Sequence, residues 1–208
     1  MKKLIYVIGA LSLCFSCKTP SSTYNNSDEN TASSPDSALA YVYKAWDGHW
    51  KGQFLVLNPS DGQVATTAQP QITSLEELKA IKMDTSLVID VQQWYESTSP
   101  FYQSVRIEDR YLQNGEPTLV KSSGYNVVKG DTMLCVVNKP DEQVIHQGQH
   151  LGDGIILWGR SLKDPLKIEY FYEVATDSTY SIVGWGYYGD DNPALSPGMF
   201  FYGQYRKQ

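Results

Sequence analysis

The sequence contains little cysteine and histidine, and no cluster of basic residues. Its 208 residues include 3 Cys and 3 His, and 17 Lys and Arg stand against 23 Asp and Glu, for a formal net charge of -6. Three cysteines are too few for a disulfide scaffold. An acidic chain without a stripe of Lys and Arg lacks the charges that bind phosphates, which argues against nucleic acid as a partner.

Long hydrophobic runs are also missing. The apolar run at residues 4–15 is well short of the roughly 20 residues that a membrane-spanning helix needs. It follows the basic start Met1-Lys2-Lys3. A positive start before a short apolar run is typical of an export signal, so we expect residues 1–16 to be a signal peptide.

The apolar run ends in Cys14-Phe15-Ser16-Cys17, which resembles the lipobox of bacterial lipoproteins. The resemblance implies that Cys17 is lipidated, becomes the new N-terminus and anchors the protein in the cell envelope. Cys14 stands where that family usually has Leu, and as a lipidation site Cys14 itself fits less well because it follows the bulky Leu13. Lys18 in place of the Asp that retains lipoproteins in the inner membrane implies outer-membrane delivery in a Gram-negative host. The alternative is a plain secretory signal.

Residues 18–35 contain eleven Ser, Thr or Asn and almost no apolar side chains. Such a segment cannot form a core, so we expect a flexible tether. The predicted organisation is a signal peptide at 1–16, a lipidated cysteine and tether at 17–35, and a single domain at 36–208. Only Cys135 would then remain as a thiol, and its apolar surroundings predict a buried, unreactive side chain.

The domain begins with a helical pattern. Asp36 can cap a helix whose stripe would be Leu39, Val42, Tyr43 and Trp46. A second helix of about two turns is expected from Ser74, where the spacing of a capping box occurs.

The rest of the chain alternates with period two, which predicts β-strands joined by turns rich in Gly, Pro, Asn and Asp. The clearest strand has Leu166, Ile168, Tyr170, Tyr172 and Val174 on one face, which we expect to be buried, and Lys167, Glu169 and Glu173 on the other. The predicted strands are 49–57, 86–95, 101–112, 117–128, 132–138, 142–150, 155–161, 165–175, 179–188 and 198–206, with a weaker one at 63–68.

About ten antiparallel strands must protect their edges by closing into a barrel or by packing as a sandwich. Gly48-His49-Trp50 resembles the Gly-x-Trp signature of lipocalins and other calycins. Gln92-Gln93 with residues 100–106 is similar to a segment of bilin lyase-type calycins, although Tyr102 and Ser104 replace its two arginines. These resemblances imply an all-β, antiparallel meander that closes into a calycin-like barrel with a short N-terminal helix. Trp50 would then plug its closed end.

The sequence contains no convincing catalytic or metal-binding pattern, so no catalytic residue, metal or cofactor is assigned. On a strand, His146 and His150 would stand roughly 13 Å apart, too far to share one metal ion. Gly184 and Gly186 lie inside a strand, where they predict a barrel bend or a ring packed over the backbone. Residues 190–193 are interpreted as a solvated turn.

Aromatic residues crowd the last quarter of the chain. Some should line the interior while others, such as Phe171 and Tyr187, should be exposed. Arg106, Glu108 and Arg110 share a strand face that is expected to be solvated, unless the register turns the arginines inward to clamp a carboxylate. The predicted core includes Trp50, Phe54, Ile89, Val105, Val136, Ile168 and Tyr170.

Two classes of function fit these features. The first is a non-enzymatic lipoprotein that binds a small amphipathic molecule in the barrel. The second is an interaction or envelope-structural lipoprotein with a filled barrel and exposed rings that meet a glycan or a protein; an enzyme, including a bilin lyase-like one, ranks third. An open apolar interior would favour the first class. The candidate ligand-binding residues are Trp158, Arg160, Tyr172, Trp185 and Arg106.

Overall fold

The computed structural model describes residues 34–60, 77–78, 82–113 and 116–208, which belong to one compact unit, Ala32–Gln208. Ten strands account for most of these residues. Their bounds are β1 Gly48–Pro59, β2 Met83–Ser99, β3 Tyr102–Gln113, β4 Glu116–Lys129, β5 Thr132–Asn138, β6 Gln143–Gly152, β7 Ile155–Lys163, β8 Leu166–Ala175, β9 Thr179–Tyr188 and β10 Met199–Lys207.

The strands form a closed antiparallel barrel in which each pairs with its neighbours in sequence, and β1 pairs with β10. The closing pair runs from Trp50 opposite Lys207 to Leu57 opposite Phe200. The predicted meander that closes into a barrel is therefore confirmed. Closure satisfies the backbone groups that an open sheet would expose at its edges.

One end of the barrel, which we call the floor, is closed by the chain that precedes β1. Tyr43, Trp46 and Trp50 are almost fully buried there, and Trp50 Nε1 donates a hydrogen bond of 2.6 Å to the Trp46 carbonyl. Trp50 closes this end, as the resemblance to lipocalins implied. The opposite end, where β1 ends and β2 begins, is called the mouth.

The expected N-terminal helix consists of two short 3₁₀ helices, Ser37–Leu39 and Lys44–Trp46. Tyr41 between them has a φ of 60°, in the left-handed region, which interrupts a continuous helix. Tyr43 and Trp46 of the predicted stripe are nevertheless buried. Of the helix expected from Ser74, only Glu77 and Leu78 are described, and both are helical; the weak strand at 63–68 lies outside the described residues.

The prediction for the faces of β8 is wrong. Glu169, Phe171 and Glu173 face the interior, whereas the apolar residues between them lie on the outer face of the barrel. Ile168 and Tyr170 were expected in the interior core, but they pack against a second hydrophobic cluster on the outside of the barrel. We call this second cluster the outer cluster; its buried members are Leu78, Val183, Trp185, Tyr187 and Phe200. The apolar face is half-buried, because part of it packs against this outer cluster.

Of the remaining predicted core residues, Trp50, Ile89 and Val105 are buried on the interior side, and Phe54 is partly buried against the main core cluster. Val136 is buried but lies on the outer face of β5, because its neighbours Cys135 and Val137 line the interior. Within the described residues, no helix has both the length and the apolar character needed to cross a membrane.

Candidate ligand-binding site

The barrel encloses a cavity of about 290 Å³. All ten strands except β4 contribute lining residues, because alternate side chains along each strand point inward. The apolar part of the lining is formed by Phe54, Ile89, Val91, Val105, Ile107, Val137, Val144, Phe171, Ile182 and Phe201. Tyrosines, Trp158 and several ionisable side chains complete it.

A group of aromatic residues and one carboxyl surround the floor end of the cavity. We call this group the floor cluster; its members are Tyr95, Trp158, Glu173, Tyr180 and Tyr205. The Tyr180 ring centroid lies 6.2 Å from that of Tyr95 and 5.0 Å from that of Tyr205. The cluster is polar at its hydroxyls and carboxyl but is enclosed by rings.

Glu173 is placed in this cluster by the strand register. It stands opposite Ile156 of β7 and Ile182 of β9, which makes Trp158 and Tyr180 its diagonal neighbours. Burial raises the pKa of Glu173 from 4.5 to about 7, while hydrogen bonding with Tyr180 and Trp158 acts in the opposite direction. The carboxyl therefore changes charge near neutral pH.

Charged residues concentrate nearer the mouth, in a group called the mouth cluster. It consists of Glu142, His146, Arg160, Lys167, Glu169 and Tyr188. Arg160 pairs with Glu142 at 3.1 Å and with Glu169 at 3.6 Å. Tyr188 donates a hydrogen bond of 2.7 Å to Glu169.

The mouth cluster keeps Glu169 ionised. Burial would raise the pKa of Glu169, but the contacts with His146 and Tyr188 and the charge of Lys167 outweigh burial and hold the pKa below its ordinary value. His146 Nε2 lies 3.5 Å from Glu169 Oε2. Glu169 and Glu173 thus share one strand face but differ in protonation behaviour because only Glu169 has cationic neighbours.

Two further titratable groups line the cavity. Burial raises the pKa of Asp109, and the charge of Lys139 acts against that shift. Burial also raises the pKa of the Cys135 thiol, and the carboxylate of Glu173 adds to the effect. A thiol of this kind stays protonated, so its sulfur contributes to the wall and not to nucleophilic chemistry.

Glycines let large rings lie against the barrel wall. A Cβ on Gly148 would stand 2.5 Å from the Trp158 ring, which crosses over this position from the neighbouring strand. A Cβ on Gly184 would stand 2.8 Å from the Phe171 ring. This is the ring-over-backbone packing expected for the glycines beside Trp185.

Trp158 and Arg160 are the two predicted site residues that the structure brings together. Both lie on the interior face of β7, two residues apart, and Trp158 lines the cavity. The guanidinium of Arg160, however, is not available to a ligand carboxylate, because it already pairs with Glu142 and Glu169.

The other three predicted site residues lie outside the barrel. Tyr172 is on the outer face of β8, and Trp185 belongs to the outer cluster, where it stacks on Tyr170 at 5.4 Å. Arg106 is exposed and covers the Trp94 ring at 4.0 Å, while Val105 and Ile107 point inward. The solvated interpretation of the Arg106 face is thus the correct one, since the register does not invert.

Two rings that were expected to be exposed are not. Phe171 lines the cavity, and Tyr187 is fully buried in the outer cluster, where its hydroxyl donates to the Leu195 carbonyl at 3.0 Å. Tyr187 is covered by the loop between β9 and β10. In that loop the Asp191 carboxylate accepts a hydrogen bond from the Tyr188 backbone N–H. The Asn192 side chain accepts a hydrogen bond from the Ala194 backbone N–H, so both side chains stabilise the turn.

Sequence reasoning missed the interior carboxylates and Tyr180, the tyrosine at the centre of the floor cluster. Glu169 and Glu173 were assigned to a solvated face because charged residues alternate with apolar ones, which is the usual signal for solvent. Tyr180 was counted only as part of the aromatic crowding. Among the described residues, no group of three or more His, Cys, Asp or Glu is arranged to hold a metal ion.

No family model matches the chain, and no curated protein matches it. Among solved structures, the M. tuberculosis protein Rv2717c is similar at 12% identity and a TM-score of 0.48, covering 82% of this chain and 99% of that one. A redesigned β-barrel, b11L5F_LGL, is similar at 15% identity and a TM-score of 0.36, covering 82% and 97%. EF1p2_mFAP2b bound to DFHBI is similar at 11% identity and a TM-score of 0.36, covering 82% and 99%.

Proposed function

We propose that this protein binds a small amphipathic molecule inside its barrel. The observation that carries the proposal is the cavity of about 290 Å³ inside the barrel, whose wall combines apolar rings with a few polar groups. Binding sites for small molecules have this composition, in which apolar contacts supply affinity and a few polar groups fix orientation. The volume is near the lower end of the usual range of about 300–1,000 Å³, which suits a compact ligand.

The cavity also discriminates between the two classes of function. A filled barrel would leave no internal volume, and binding would then depend on exposed rings. Trp94 is a poor platform for a glycan, because His49 stacks on it at 4.5 Å and Arg106 covers it from the opposite neighbouring strand. An outer glycan-binding or protein-binding surface is therefore the weaker candidate.

We propose further that the barrel is exported and tethered to the cell envelope through a lipid on Cys17. The basic start, the short apolar run and the Ser16-Cys17 step support this localisation, and the polar segment at 18–35 supports a tether. In a Gram-negative host, Lys18 supports delivery to the outer membrane.

Native mass spectrometry of the full-length protein, purified in a mild detergent, tests the binding function. We expect a retained small molecule that is released on denaturation. Val91→Phe places a ring in the cavity and should abolish the adduct, whereas Leu119→Phe changes an exposed side chain and should retain it. Absence of any adduct, together with no binding of neutral aromatic compounds, would contradict the proposed function.

A further inference from the structure

Glu173 is a carboxylate inside the barrel, half-buried and without a cationic partner among the described residues. Its pKa is influenced by burial and by hydrogen bonding with Tyr180 and Trp158, and by no positive charge. The remaining exposed part of the Glu173 side chain faces the cavity inside the barrel. A buried carboxylate is costly unless it is paired or protonated, so this position would gain most from a ligand that brings a positive charge.

The side chains around Glu173 also favour a cation. Trp158, Tyr180, Tyr95 and Tyr205 surround the floor end of the cavity with aromatic rings. The faces of such rings attract cations through their quadrupoles, and the attraction strengthens when water is excluded. Rings combined with one carboxylate are complementary to an alkylammonium or a quaternary ammonium group.

A second observation independently points to a ligand here. The Tyr205 hydroxyl is buried and has no hydrogen-bond partner. Its ring lies over Gly203, whose added Cβ would stand 2.7 Å from the hydroxyl, so the hydroxyl is directed along β10 towards the mouth and into the cavity. Buried polar groups in proteins are nearly always satisfied, and a polar ligand group would satisfy this one.

The other titratable groups that face Glu173 carry no charge. They are Tyr95 of β2, Cys135 of β5, Tyr180 of β9 and Tyr205 of β10, and burial raises the pKa of each. The cationic side chains on the interior side of the barrel lie nearer the mouth, where Arg160 pairs with Glu142 and Glu169, and Lys139 lies near Asp109. The positive charge that Glu173 lacks therefore has to come from outside the floor cluster.

We propose that the floor cluster is a cation subsite, which binds the amine or quaternary ammonium group of the amphipathic ligand against Glu173. This inference rests on the proposed binding function and names the chemical class of its ligand. The ligand would enter with its cationic group towards the floor and leave its apolar body between Phe171, Phe201 and the aliphatic wall.

The test uses three indole compounds of nearly equal size with different charge. Tryptamine is cationic, tryptophol is neutral and indole-3-acetate is anionic. Titration calorimetry on the full-length protein in a non-ionic detergent at pH 8, where Glu173 is ionised, should give affinity in that order, with tryptamine at least about tenfold tighter than tryptophol.

Variants assign the preference to one carboxyl. Glu173→Gln should abolish the preference, so that tryptamine binds no more tightly than tryptophol. Asp109→Asn removes a different cavity carboxyl, which lies near Lys139, and should retain the preference. A preference that survives Glu173→Gln, or one that disappears in Asp109→Asn, would overturn the proposal.

Proton release provides a second readout that needs no variant. Near pH 7 only part of Glu173 is protonated in the free protein, so binding of tryptamine should release a fraction of a proton per ligand. Calorimetry in buffers of different ionisation enthalpy measures this release. No release would overturn the cation subsite. If all three compounds bind equally, the cation subsite is wrong while the binding function stands; if none binds and native mass spectrometry finds no adduct, both are wrong.

Discussion

At the scale of single residues, the protonation of Glu173 is the most consequential property of the barrel interior. The pKa of this carboxyl rises from 4.5 in an exposed chain to about 7 in the folded protein, chiefly because burial disfavours the charged form. Between those two values the folded state binds more protons than the unfolded state. The contribution of Glu173 to stability is thus fully present below pH 4.5 and is lost as the pH rises through about 7.

Glu173→Gln should remove this pH dependence. Each pKa unit corresponds to about 1.4 kcal/mol, so the ionisation of Glu173 in the ligand-free protein costs about 3 kcal/mol above pH 7. We expect the variant to resemble the wild type at pH 4.5 and to be more stable than it at pH 8. Urea unfolding at a series of pH values measures the difference, and parallel pH profiles of the two proteins would contradict it.

Residue patterns in the sequence indicated which side chains share a face of a strand, but not which face is inside. On β8, both faces are half-buried: Ile168 and Tyr170 pack outside against the outer cluster, and Phe171 lies inside with two glutamates. Charge on one face normally signals solvent, and that rule fails here because Arg160, His146 and Tyr188 compensate Glu169 within the barrel. The inward orientation follows from the closure of ten strands, which no local pattern contains.

At the scale of secondary-structure elements, one carboxylate of the segment before β1 links that segment to two strands. Asp47 Oδ1 accepts hydrogen bonds from the Ser97 backbone and hydroxyl and from Gln103 Nε2, at 2.8–2.9 Å. Burial would raise the pKa of Asp47, but hydrogen bonds from Lys44, Gln103 and Ser97 outweigh it and lower the pKa. Asp47 therefore links the floor segment to β2 and β3.

Asp47→Ala should destabilise the protein by about 1–3 kcal/mol, because it leaves the Ser97 and Gln103 donors without this acceptor. Lys44→Ala breaks the exposed contact of the same carboxylate and should have a much smaller effect on stability, because water screens an exposed ion pair. Urea unfolding at pH 7 measures both. Since folding lowers the pKa of Asp47, the stabilising effect of this carboxylate should disappear as the pH falls below 3.8 and the carboxylate protonates. Equal losses of stability in the two variants at pH 7 would contradict the proposed link.

The two tryptophans proposed for one site belong to opposite faces of the sheet, and their substitution should separate binding from stability. Trp185→Phe removes buried area from the outer cluster and should cost about 1–2 kcal/mol while leaving ligand binding unchanged. Trp158→Phe removes part of the cavity wall and should weaken binding. Calorimetric titration with tryptophol, beside urea unfolding, measures both effects; weaker binding in Trp185→Phe would contradict the assignment of this residue to the outer cluster.

The elements themselves were largely predictable. Turn residues and period-two alternation indicated all ten strands, and the strand expected at 132–138 has those bounds in the structure. The break in the N-terminal helix was not predictable, because the positive φ of Tyr41 depends on contacts such as the hydrogen bond from its backbone to the Pro100 carbonyl. Long-range contacts of that kind leave no mark on local periodicity.

At the scale of the whole molecule, the proposed lipidation of Cys17 would determine where the barrel operates. Each buried methylene of a lipid chain contributes about 0.8 kcal/mol of membrane affinity, so two or more chains give a stable anchor. Cys17→Ala should release the protein from the membrane fraction or block its maturation. Cys14→Ala should leave fractionation unchanged, and metabolic labelling with a fatty acid provides the direct readout; membrane association of Cys17→Ala equal to that of the wild type would contradict lipidation.

The pairing of β1 with β10 has a consequence for how the protein acquires its structure. Every other strand pair joins neighbours in sequence, and such hairpins form quickly because little chain entropy is lost. The seam between Trp50–Leu57 and Phe200–Lys207 joins strands from the two ends of the barrel sequence and can form only after β10 has been synthesised. Until then β1 and β9 have unpaired edges, and the aromatic side chains of the barrel interior are exposed to water. Folding speed and resistance to aggregation should accordingly depend on this last association more than on any single hairpin.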